Sequence, residues 1–106
     1  VYLSADPGRQ QPVVLREPDD FASFMVVAAA RSWAELGRML GDACRVDPPH
    51  VWVDPAEVRA LGKASDPDWV AGLDAMLEYA SRRGWTDGSG AVRAHCEWPL
   101  GEPGSP

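Results

Sequence analysis

Arg93, His95 and Glu97 occupy alternate positions of one alternating stretch, Ala91 to Trp98. On a strand, residues two apart share a face, with neighbouring Cβ atoms roughly 7 Å from each other. An imidazole flanked by a carboxylate and a guanidinium has the parts of a general base beside an anion clamp. The same three side chains also fit the wet face of a half-buried strand, with Val92, Ala94, Cys96 and Trp98 turned to a core. Both expectations stand at this point, the catalytic trio and the solvated face.

Other chemistries find less in the chain. His95 and Cys96 are adjacent, so a strand turns them to opposite sides, and His50 is the only other imidazole. No HxxxH or HxH spacing occurs, and no metal or other cofactor is expected. There is no GxSxG elbow and no phosphate loop. Gly84, Gly88 and Gly90 follow a helix and precede a strand, the reverse of the order that binds phosphates. Cys44 and Cys96 allow one bridge but lie in no CxxC pair, and buried free thiols are the expectation.

Five tryptophans are many for 106 residues. Trp69 and Trp98 fall on apolar stripes and read as core. Trp33 and Trp52 are not clearly inward, and exposed tryptophan suits an interface because it buries much area at small entropic cost. Together with an edge strand, Trp52 could form a homodimer or partner surface.

The elements that position these residues are punctuated by Pro, Gly and Asp. Ser65 to Trp98 is the clearest unit. Asp66-Pro67 starts a helix, and Trp69, Val70, Leu73, Met76, Leu77 and Ala80 form one stripe along it. Arg82-Arg83 complement the dipole at its end, Gly84 takes the left-handed cap position, and Trp85 packs back on the last turn. Upstream, Val1–Ser4 and Pro12–Arg16 read as strands around an Asp6-Pro7-Gly8 turn. Phe24 to Ala30 fits either a buried strand or a helix. The capping box Ser32-Trp33-Ala34-Glu35 favours the strand, since it supplies a fresh helix start just downstream. That helix carries Leu36, Met39, Leu40 and Ala43 and is expected to run until Asp47-Pro48-Pro49 stops it. His50–Val53 reads as a short strand, and Asp54-Pro55 begins a two-turn helix ended by Gly62.

Composition bounds the partners. With 45% hydrophobic and 25% charged residues the chain is globular, one domain over residues 1–98, with a flexible tail over 99–106. A net charge of −6 with scattered basic residues argues against nucleic acid and against anionic membranes. No apolar run approaches the roughly 20 residues a membrane helix needs. The chain opens at Val1 with no basic, apolar leader, and a cytoplasmic location is the expectation. Ile and Asn are absent and Arg outnumbers Lys nine to one, a bias that a high-GC genome imposes.

These readings converge on an α+β fold. An antiparallel sheet, made of an N-terminal meander and the C-terminal strand, packs against a long amphipathic helix and one or two shorter ones. Two functions fit it: a small acidic, non-catalytic interaction module that binds a protein partner or itself as a homodimer; or a small enzyme or ligand-binding domain. The second would take a small molecule in a pocket lined by Arg93, His95 and Glu97, with Trp52 or Tyr79 as its apolar wall.

Overall fold

Alternation of buried and exposed side chains builds a six-stranded sheet whose fully buried positions all lie on one side. In the computed structural model, which describes residues 1–103, the strands are β1 (Tyr2–Ala5), β2 (Val13–Arg16), β3 (Met25–Ala28), β4 (Cys44–Asp47), β5 (His50–Val53) and β6 (Val92–Glu97). Leu3, Ala5, Val26, Ala28, Val51, Val53, Ala94 and Cys96 are buried on that side. Against them pack α1 (Trp33–Leu40), α2 (Pro55–Leu61) and α3 (Pro67–Arg82) through Leu36, Leu40, Val58, Trp69 and Leu73. All three helices therefore share one core with one face of the sheet, a two-layer α+β arrangement. No helix among the described residues is long and apolar enough to cross a membrane.

The sheet is mixed, not antiparallel as the sequence suggested. Its order is β2-β1-β3-β6-β5-β4. β1–β3 and β3–β6 are parallel, whereas β1–β2, β5–β6 and β4–β5 are antiparallel. The first three strands are thus no meander: β2 returns on the outer edge of β1, and the connector 17–24 crosses below β1 to start β3 on its other side. Alternation reports which face of a strand is buried and is silent on strand direction, so the pattern that located the strands left their order open.

Local chemistry sets the helix boundaries. The Ser32 hydroxyl accepts the Glu35 N–H at 3.0 Å, and the Glu35 carboxylate accepts the Arg31 N–H at 2.7 Å, one residue before the usual capping-box partner. The Asp54 and Asp66 carboxylates accept N–H groups of the first turns of α2 and α3, each followed by Pro at the first helical position. At the end of α3, Trp85 N–H donates to the Ala80 carbonyl at 2.9 Å and Gly84 N–H to Ser81 at 3.1 Å, with Gly84 at φ 77°. That is a Schellman closure, and its left-handed residue favours glycine.

α1 stops earlier than its apolar stripe suggests. It ends at Leu40, Gly41 adopts φ 67°, and a short 3-10 turn over Gly41–Ala43 leads into β4. Cys44–Asp47 is a strand rather than a last helical turn, and Pro48-Pro49 closes the β4–β5 hairpin. Of the tail expected over 99–106, residues 104–106 lie outside the described residues.

Candidate functional site

The alternate positions of the six strands make the second face of the sheet, on which no helix packs among the described residues. Strand register sorts them into rows. One row crosses all six strands in the order Arg16, Tyr2, Met25, His95, His50, Asp47. A second runs Val14, Ser4, Val27, Glu97, and a third Arg45, Trp52, Arg93. Arg93, His95 and Glu97 are all exposed here, as the alternation of β6 requires. Tyr2, Val14, Met25, Val27, His50 and Trp52 are half-buried among the polar side chains.

Within the trio, one contact forms. His95 Nε2 lies 2.9 Å from Glu97 Oε1, and an Nε2–H tautomer donates to that carboxylate. Both side chains are more than half exposed, so this pair belongs to the solvated class of weak ion pairs. Arg93 forms no ion pair with a carboxylate among the described residues. The register adds a residue that the sequence reading left out. His50 is the cross-strand partner of His95 on antiparallel β5 and β6, and directly opposed Cβ atoms lie roughly 4.5–5.5 Å apart. His50 shares its face with Trp52 by period two, which the sequence did contain. Only the pairing of β5 with β6 sets it against His95.

Phe24, His50, Trp85, Arg93 and His95 border a shallow, open depression at this end of the face. It is a concavity in a wet surface, bordered by Arg93 and His95 of the trio but not by Glu97. Among the described residues no three His, Cys, Asp or Glu side chains are placed to hold a metal ion.

The two candidate interface tryptophans lie on opposite sides of the sheet. Trp52 is on the uncovered face, its indole N–H donating to Asp47 Oδ2 at 3.1 Å and its ring 5.2 Å from the Arg45 guanidinium carbon. Trp33 opens α1 on the helical side and packs edge-on against Trp98, with centroids 4.9 Å apart. Tyr79, the other suggested wall of a pocket around the trio, stands on α3 against Trp85 at 5.9 Å. It is not on the face that carries His95 and Glu97.

Both thiols are free. Burial, reinforced by the neighbouring carboxylates Glu57 and Asp54, pushes Cys44 up to about 12. Burial with Glu102 and Glu97 nearby does the same for Cys96. A thiol held in its neutral form is a packing residue, not a nucleophile. Comparison with protein-family models, with curated proteins and with solved structures finds no match to this chain.

Proposed function

We propose that this chain is a non-catalytic interaction module that self-associates through its uncovered sheet face. The observation behind this reading is the one-sided placement of the helices. It leaves apolar side chains from four strands, Tyr2, Val14, Met25, Val27 and Trp52, partly open to water on the other side. Apolar surface in contact with water carries a standing cost that a second protein surface relieves.

Charge on that face favours a second copy. Arg16, Arg45 and Arg93 share this face with Asp47 and Glu97, so both signs are present within one surface. A two-fold axis sets the same patch against itself, and a patch of mixed sign can place cations against carboxylates. Trp52, held by Asp47 and Arg45, supplies a large aromatic group with little rotamer freedom left to lose.

The other reading, a small enzyme or ligand-binding domain built on Arg93, His95 and Glu97, draws on the His95–Glu97 contact and the opposed His50. Against it stands the openness of the depression that Arg93, His95 and His50 border, because a water-excluding pocket is what strengthens charge in a site.

Sedimentation equilibrium tests the proposal. A dimer that dissociates on dilution is expected for the wild type, and a monomer for Val27→Lys, which places a charge in the middle of the face. A wild-type chain that stays monomeric up to about 0.5 mM, weaker than about 4.5 kcal/mol of association, overturns it.

A further inference from the structure

Behind Phe24 and Trp85, on the helical side of the depression just described, lies a separate crevice of about 110 Å³. It opens between the connector into β3 and the last two turns of α3. Phe21, Phe24, Met76, Leu77 and Trp85 line it, and its buried lining residues are Ala80 and Val92. Phe24, Trp85 and Arg93 border both concavities, so the crevice and the sheet face share a rim but no floor.

We infer that this crevice is a binding site for a small aryl or branched-alkyl carboxylate, its apolar group inside and its carboxylate on Arg93. Size limits the ligand first. Sites for drug-sized molecules and cofactors occupy about 300–1,000 Å³, whereas an apolar cavity of about 150 Å³ holds one benzene ring. At about 110 Å³ the crevice is smaller than that cavity but open on one side, so a branched alkyl group or one ring with its edge toward the opening is the largest group it takes, and a nucleotide is excluded.

The lining sets the chemistry. The interior surfaces are apolar and largely aromatic, and no Asp or Glu lines the crevice. Arg93 is its one cationic lining residue, and among the described residues it has no carboxylate partner. The two arginines at the end of α3 do not line the crevice. Arg82 reaches Glu78 at 3.4 Å, and Arg83 lies over the rings of Tyr79 and Trp85, at 5.7 and 5.4 Å. An unneutralised guanidinium at the mouth of an apolar slot, in a chain of net charge −6, selects a monoanion with a hydrophobic tail.

The backbone of α3 is shaped to keep this slot. A Cβ at Gly72 would come within 2.4 Å of Phe21 Cε2, so the Phe21 ring rests directly against the helix where any larger residue would displace it. The crevice keeps its near wall because position 72 has no side chain. Arg93 also lies on the sheet face proposed to self-associate, whereas Val27 and the rest of that face take no part in the crevice.

Titration of the 15N-labelled chain with 3-phenylpropionate, and in parallel with its neutral amide, tests it. Saturable shifts at the Phe24 and Ala80 amides and the Trp85 indole are expected with the carboxylate. Arg93→Gln, an exposed position that the core does not need, should weaken the carboxylate about tenfold and leave the amide unchanged. Val27→Lys should bind as the wild type does. Shifts that fail to saturate, shifts that map away from the crevice, or equal losses for carboxylate and amide in Arg93→Gln would each overturn the assignment.

Discussion

Trp52 on β5 and Arg93 on β6 are register partners on the uncovered face, and Arg45 on β4 is the partner of Trp52 on its other side. The indole thus stands in a row between two guanidinium-bearing positions, with the Arg45 guanidinium carbon 5.2 Å from its ring and its N–H given to Asp47. A tryptophan fixed in this way is an anchor in waiting. Trp52→Ala is expected to weaken self-association about tenfold or more, the loss typical of an aromatic hot spot. Far-UV circular dichroism should stay native, since the buried core lies on the opposite side of β5.

The fold itself should fail at the helical side. Leu73 on α3 is fully buried, and Leu73→Ala is expected to cost about 2–5 kcal/mol in urea unfolding. Ser32→Ala removes the side-chain acceptor for the Glu35 N–H and should cost about 1 kcal/mol. Equal losses for the two variants would mean that the core does not close around α3 as described.

Acid should loosen two turns before it reaches the core. The Ser89 hydroxyl, helped by the Ser89 and Ala91 N–H groups and by Arg45, holds the Asp87 carboxyl below its ordinary value. The Arg31 N–H and its guanidinium lower Glu35 likewise. Both folded values lie below the unfolded ones of about 3.9 and 4.3, so their stabilisation is complete above about pH 5 and is lost as pH falls through the folded values. The urea midpoint should be level from pH 7 to about 5 and fall below about 4. A Glu35→Gln, Asp87→Asn double variant should show a shallower fall.

Thiol reactivity reports the packing of β4 and β6. Cys44 and Cys96, both pushed up to about 12 by burial, should react with a disulfide reagent at pH 8 about a hundredfold more slowly in the native chain than in urea. Fast reaction of either thiol in the native state would place that strand at the surface.

Local signals were legible and long-range ones were not. Ser32, Asp54-Pro55 and Asp66-Pro67 mark helix starts because a cap is a bond between residues two or three apart, and the three helices begin there. The alternation of Val92, Ala94 and Cys96 against Arg93, His95 and Glu97 likewise needs only a period of two. The end of α1 was lost because Leu36, Met39, Leu40 and Ala43 keep a helical stripe past Gly41, while the break comes from the φ of 67° at that glycine. The parallel pairing of β1 with β3 and of β3 with β6 has no signature within any one strand. For the same reason no local pattern sets His50 beside His95, or the Phe21 ring against Gly72. Each depends on a contact across a long stretch of chain.

A second copy of the chain is proposed to sit on the sheet face opposite the helices. The most direct measurement is a 15N–1H and 13C-methyl correlation series on the wild-type chain across a dilution range. Concentration-dependent shifts are expected at Tyr2, Val14, Val27, His95 and the Trp52 indole, with α1, α2 and α3 unmoved. Shifts confined to the helical layer, or none at any concentration, would contradict that placement.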